Sequence, residues 1–285
     1  MARGFAALPE VDLTVVVNVG DDETVHGLHV SADIDTVLYT LAGIEGPEGW
    51  GRSGDTFTVN EELARFGVDN RFRLGDRDLA LIVRRTADLK DGRRLSEITS
   101  DLARSLGIDA SVIPATDEPL RTHVLLDTGW TAFQEYFVIR QNRDAVREVE
   151  YRGADASEPA PGVLEAIARA DLLAIAPSNP PLSIWPILAV PGVRDAVADH
   201  PRVVGVSPLF GGKALKGPAD RVMATLGLPP GNQGVADAYH GLLDLLVVDI
   251  GDADDVVTGT EVAALDTRIT TREAASRFAA TMVGL

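Results

Sequence analysis

Residues 13–22, Leu-Thr-Val-Val-Val-Asn-Val-Gly-Asp-Asp, decide the reading of this chain. Leu13 to Val19 is a short β-branched run stopped by Gly20 and two acids. That is how a buried strand of a parallel sheet ends. Further apolar runs recur at Leu172 to Ala176, Val203 to Val206 and Leu245 to Ile250, and helical patterns separate several of them. Alternating strands and helices of this kind predict an α/β fold, Rossmann-like, with a mostly parallel sheet. Thr122 to Leu126 and Thr131 to Ile139 flank Asp127-Thr128-Gly129-Trp130 and read as a hairpin.

Between the first strand and this hairpin the period changes. Leu79, Ile82, Val83, Thr86 and Leu89 follow helical spacing, as do Leu95, Ile98, Leu102 and Leu106, with Asn60 as a candidate N-cap and Gly107 as a stop. Residues 58–108 are therefore expected to be a small helical insertion within one α/β domain spanning 1–285. Ala2 to Leu8 reads as the last turns of a helix that leads into the first strand. A doubly wound fold normally places a strand and its phosphate-binding turn before that helix, and the expectation is that this strand is absent here.

Composition narrows the function. The net charge of −17 argues against broad nucleic-acid or anionic-membrane surfaces, which need many Lys and Arg against phosphates. Without cysteine there are no disulfides, thiolate metal sites or cysteine nucleophile, which suits a reducing compartment, and the cytoplasm is expected. The richest apolar run, Leu242 to Ile250, is interrupted by Asp244 and Asp249, so no membrane span is expected.

Several groups stand where chemistry is expected. Asp21 and Asp22 lie just past a strand's C-terminal end, where open α/β sheets bind ligands, and Ser31-Ala32-Asp33-Ile34-Asp35-Thr36 follows. Carboxylates so placed suit magnesium that also holds substrate phosphates. They equally suit a helix cap and a polar turn. Ser207 to Pro218 follows a buried strand and contains Gly211-Gly212-Lys213, with Pro218 as an expected first helical residue; two of the chain's three lysines are here. Glycine N–H groups at a helix start, with Lys213 and Lys216, would suit an anion. Pro177-Ser178-Asn179-Pro180, with Ser183 behind it, follows another strand and has the amide and hydroxyl groups to read a base. His26 and His29 lack metal-site context and are read as structural or surface groups.

Seven segments taken in order, NVGDD (18–22), GLHVSADIDTVLYTLAG (27–43), GWGRSGDTF (49–57), LGDRDLA (74–80), FQEYFV (133–138), APSNP (176–180) and SPLFGGKALKGPADR (207–221), resemble the CofD/FbiA family. These are the 2-phospho-L-lactate or phosphoenolpyruvate transferases of coenzyme F-420 biosynthesis. The resemblance implies that a ribityl hydroxyl of the deazaflavin Fo attacks a phosphorus bearing a lactyl or enolpyruvyl group, and that GMP leaves a guanosine diphosphate ester. It implies Asp21 and Asp35 as magnesium ligands, supported by Asp22 and Asp33; of the two catalytic carboxylates, Asp21 is expected to hold the metal and Asp35 to orient or deprotonate the hydroxyl. Asp35 and Arg77 would bound the Fo pocket beside Trp50. Ser178, Asn179 and Ser183 would face the guanine nucleotide, and Gly211, Gly212 and Lys213 its phosphates. The arginine-rich, lysine-poor composition points to a high-GC genome, where the resemblance implies the enolpyruvyl donor over the lactyl one, and a homodimer is the default.

The chain departs from the family pattern in three places. Family members usually begin with a strand and a glycine-rich loop, whereas Met1 here aligns just after that loop. Ile82 stands where a histidine is common, and Trp185 where glycine is usual. Two alternatives follow: a CofD-like regulator that binds nucleotide sugars without transferring anything, and an inactive shortened form of the enzyme.

Overall fold

The computed structural model describes residues 1–47, 49 and 51–285. Along the chain run α1 (Ala2–Phe5), β1 (Thr14–Val17), a hairpin β2 (Glu23–Val25) and β3 (Leu28–Val30), and α2 (Ala32–Ala42). Three helices follow, α3 (Thr58–Arg65), α4 (Asp76–Lys90) and α5 (Leu95–Ser105), and then β4 (Ser111–Pro114), β5 (Arg121–Leu126), β6 (Gly129–Ala132) and β7 (Glu148–Arg152). The second half holds α6 (Val163–Arg169), β8 (Leu173–Ile175), α7 (Trp185–Leu188), α8 (Val193–Ala198), β9 (Val203–Val206), β10 (Leu209–Phe210) and β11 (Lys213–Ala214). It closes with α9 (Ala219–Thr225), α10 (Gly231–Ala238), β12 (Leu245–Asp249), β13 (Glu261–Leu265) and α11 (Arg272–Gly284).

The expected parallel pairing is present. β8, β9, β12 and β13 form a four-stranded parallel sheet in the order β13-β12-β9-β8, with Ile175 opposite Gly205 and Val206 opposite Val247. β1 pairs in parallel with β4, Val15 opposite Val112. Side chains alternate across the larger sheet, as strand geometry requires. Val203, Leu246 and Val248 pack into one core with Ile34, Leu38, Ile98 and Val163, while Val204, Val206 and Val247 pack against Phe5, Phe278 and Met282 on the other face. Helices thus cover both faces, and the strand ends gather the polar turns on one edge.

Two expectations about element ends change. The hairpin's second arm stops at Ala132, because Phe133 and Tyr136 are buried at helical spacing and the chain turns through a π-helical segment, Glu135–Ile139. Asn60 lies inside α3, buried, while Asp76 caps that helix by accepting from the N–H groups of Thr58 and Val59 at 3.0 Å each. Asp55 does the same for α4, accepting from Arg77 N at 2.8 Å and Asp78 N at 3.1 Å. Each helix start is closed by a carboxylate from the other's approach, and a Cβ on Gly75 would stand 2.3 Å from Asp55. This exchange aims the first turn of α4 at α2.

Candidate active site

The acids after β1 are organised by Asn18. Its side-chain oxygen accepts from Gly20 N at 2.7 Å, closing the turn. Its Nδ2 donates to Asp21 Oδ1 at 3.0 Å and to Asp33 Oδ2 at 2.9 Å, so one amide ties the turn to the first turn of α2. Gln134 Nε2 adds a bond to the Asp21 carbonyl at 2.9 Å. Burial pushes the Asp21 carboxyl well above the usual range, and repulsion from Asp33 adds to it; burial also pushes Asp33 up to about 6. Two carboxylates held this way favour an added cation. Among the described residues no three His, Asp or Glu groups converge as a complete ligand set. Two nonetheless fit magnesium, which takes one or two protein carboxylates and keeps its other positions for water and substrate phosphates.

Asp22 and Asp35 are otherwise engaged. Asp22 Oδ2 accepts from Ser31 Oγ at 2.9 Å and pairs with His29 Nε2 at 2.9 Å, leaving Oδ1 buried without a partner among the described residues. His29 is thereby a structural member of the cluster. Both oxygens of Asp35 are held by the guanidinium of Arg85, which is fully buried on α4. Burial still raises Asp35 above its ordinary value, with Arg85 offsetting part of the shift. Asp35, expected as a metal ligand, thus spends one lone pair of each oxygen on Arg85 and keeps the others for a further partner.

Four residues further along α2, Tyr39 is buried beside Asp78 and Arg52. Burial first, then Asp35 and Asp78, push its hydroxyl up. Arg77 is exposed, so its neighbour Asp78 is the residue of LGDRDLA that turns toward α2. Trp50 lies outside the described residues.

α7, which follows the loop after β8, and β5 border the acids: a Cβ on Gly20 would stand 3.1 Å from Pro186 Cβ and 2.4 Å from Thr122 Oγ1. Asn179 Oδ1 accepts from Leu182 N at 3.4 Å, and its Nδ2 is buried without a partner among the described residues. Ser178 and Ser183 are half-buried on either side of it. The Trp185 indole donates to the Ala238 carbonyl at 3.0 Å, and Ile82 is buried among Val25, Val30 and Leu74.

Gly211-Gly212 differs from its expectation. With φ of 61° and 74° it is the two-residue turn between β10 and β11, where both positions need the left-handed region. It is not a helix start. Pro218 precedes α9 as its N-cap rather than opening it, and Gly211 N–H donates to both Asp252 oxygens at 2.9 and 3.1 Å. Lys213, on the return strand, is exposed.

The family described as 2-phospho-L-lactate transferase CofD matches residues 1–280. The chain belongs to the CofD family. It is 43% identical over 280 residues to a phosphoenolpyruvate transferase of Thermobifida fusca, covering 96% of this chain and 87% of that one. It is 41% identical over 272 residues to a 2-phospho-L-lactate transferase of Methanopyrus kandleri, covering 94% and 87%. Among solved structures, a UPF0052-family protein of Bacillus halodurans shares the fold at a TM-score of 0.63 and 18% identity, covering 99% of this chain and 93% of its own.

This CofD-family chain therefore comes from a family of transferases, and among its described residues no helix is long and apolar enough to cross a membrane. Sequence reasoning reached the acids, but it missed Asn18, Arg85, Tyr39 and Asp78. Asn18, Tyr39 and Asp78 lie inside the quoted segments NVGDD, GLHVSADIDTVLYTLAG and LGDRDLA, whereas Arg85 lies outside all seven.

Proposed function

We propose that the protein transfers a 2-phospholactyl or phosphoenolpyruvyl group from a guanosine diphosphate ester to the ribityl hydroxyl of Fo, releasing GMP, in coenzyme F-420 biosynthesis. Membership of the CofD family supports the reaction class, and the observation that carries the local chemistry is the Asp21–Asn18–Asp33 bridge, buried at Asp21 and Asn18 and half-buried at Asp33. The hydroxyl oxygen forms a bond to the phosphorus bearing the organic acid as the bond from that phosphorus to the GMP oxygen breaks, and the hydroxyl proton is lost. Such transfers depend on positioning and charge neutralisation more than on a covalent nucleophile.

Asp21 and Asp33 hold magnesium in this reading, with Asp22 kept in place by His29 and Ser31. The ion neutralises phosphate charge when bound. Asp35 orients the acceptor hydroxyl and takes its proton, a role that suits a carboxylate made more basic by burial. Asn179 offers an unpaired Nδ2 to the guanine nucleotide, with Ser178 and Ser183 beside it, and Lys213 offers charge to its phosphates. Gly211 serves the phosphates only if Asp252 yields its N–H group. A cytoplasmic homodimer is proposed as the working form.

A fluorescence titration with Fo in the presence of magnesium tests the assignment. Saturable binding, weakened in Asp35→Asn, is expected. Binding of guanine nucleotides with no response to Fo would instead indicate a nucleotide-binding regulator.

A further inference from the structure

The turn between α4 and α5, the segment after β4 and the segment before α6 enclose a cavity of about 320 Å³, and none of its lining residues belongs to the acid cluster. Its apolar floor is Leu89, Leu95, Pro159, Ala160 and Pro161, and its two walls carry opposite charge. On one wall Arg93 donates to Asp88 at 3.0 Å and to Asp101 at 2.7 Å, and Arg94 donates to Glu97 at 2.8 Å. With Arg84 on Asp88 and Arg104 on Asp101, this network sets four guanidiniums against three carboxylates. Arg93 Nε and Arg94 Nη1 are not spent in it. The other wall holds Asp117, Glu118 and Glu158, none of them in an ion pair among the described residues. Asp117 caps α5 through Ser96 N and Oγ at 2.7 and 2.9 Å. Glu118 Oε2 accepts from Thr116 Oγ1 at 2.5 Å and from Glu158 N at 3.1 Å, which keeps the carboxyl below its usual range and leaves Oε1 without a hydrogen bond.

We propose that this cavity binds a basic α-amino acid, at a site that does not depend on the transferase reading. The walls select the class. A carboxylate meets the spare N–H groups of Arg93 and Arg94, while the α-ammonium and the side-chain cation meet Glu118 and Glu158. The methylene stem lies on Leu89 and the prolines, as long cationic side chains lie on apolar surface. A simple anion would face three acids across one net positive charge, and a simple amine would leave the guanidinium N–H groups unanswered. The volume is at the lower end for small-molecule sites. Leu89 is one turn beyond Arg85, the residue that holds Asp35, so a ligand here braces the helix behind the acid cluster.

The test is a calorimetric titration of the full chain with L-lysine, with cadaverine, which lacks the carboxylate, and with L-norleucine, which lacks the side-chain ammonium. Saturable binding of L-lysine is expected, roughly tenfold weaker for each analogue, as loss of one charge-assisted hydrogen bond implies. Glu158→Gln should weaken L-lysine by about the same factor. Arg94→Ala should weaken L-lysine and leave cadaverine unchanged. Thermal melting checks that the variants fold, and Glu118→Gln stands in for either that does not. Cadaverine binding as tightly as L-lysine would reflect attraction to a chain of net charge −17 and overturns the site. So does L-lysine binding that no folded variant weakens, or no binding of L-lysine at all.

Discussion

At the scale of single residues, the chain places charge where folding alone would not. Asp33 has a folded-state pKa of about 6 against an ordinary value of 3.8, so the folded protein holds that proton more tightly than the unfolded chain does. The sign follows: ionising Asp33 in the folded state is unfavourable, and the penalty grows as pH rises from about 4 through 6. Asp33→Asn should therefore stabilise the protein at pH 7 by about 1–2 kcal/mol, allowing for partial solvent screening, and the gain should vanish near pH 4. Urea unfolding at the two pH values reads this directly; equal midpoints for variant and parent at pH 7 would contradict it. The same crowding predicts that magnesium raises Tm at pH 7.5 in the parent and not in an Asp21→Asn, Asp33→Asn double variant.

Arg85 gives a second residue-scale expectation. Arg85→Met leaves Asp35 buried and unpaired, which should cost about 3–5 kcal/mol in urea unfolding. Lysine should restore little, since it lacks the planar fork that holds both carboxylate oxygens. A loss under 1 kcal/mol would mean the pair contributes little to order.

At the scale of elements, the close contacts lie between helices far apart in sequence. Gly4 on α1 faces α11 so tightly that a Cβ would stand 2.2 Å from the Ala275 carbonyl oxygen. Gly4→Ala should destabilise the protein by about 1–3 kcal/mol through overpacking and lower Tm accordingly. The strands at β1, β8, β9 and β12 were legible because parallel strands buried on both faces are β-branched and end in polar turns. The hairpin was legible but the end of its second arm was not, because a short apolar run such as Phe133 to Ile139 fits strand or helix equally. Asn60 was read as the cap of α3, a role that Asp76 fills from the start of α4; that capping depends on the approach of a second helix, which no local pattern encodes. Likewise Gly-Gly-Lys looks the same before a helix or inside a tight hairpin.

At the scale of the whole molecule, the sequence named acids and the fold supplied their partners. Asn18 and Asp33 are 15 positions apart and Arg85 and Asp35 are 50 apart, so neither pair is visible without the tertiary arrangement. Among the described residues the two parallel sheets are not hydrogen-bonded to each other: there β1 pairs only with β4, and β8 only with β9, whereas β9 and β12 have neighbours on both sides. Amide exchange should accordingly be slowest in β9 and β12 and faster in β1 and β8. Uniform protection across all four strands would contradict that topology.

The central claim, that this CofD-family chain transfers an organic-acid phosphate to a deazaflavin alcohol, is tested most directly by turnover. The protein is incubated with Fo, magnesium and each guanylylated donor, lactyl or enolpyruvyl, and the products are separated. GMP appearing in equal amount with a phosphorylated deazaflavin, and lost in Asp35→Asn, is the predicted result. Folded protein that binds both substrates yet yields neither product would contradict the account.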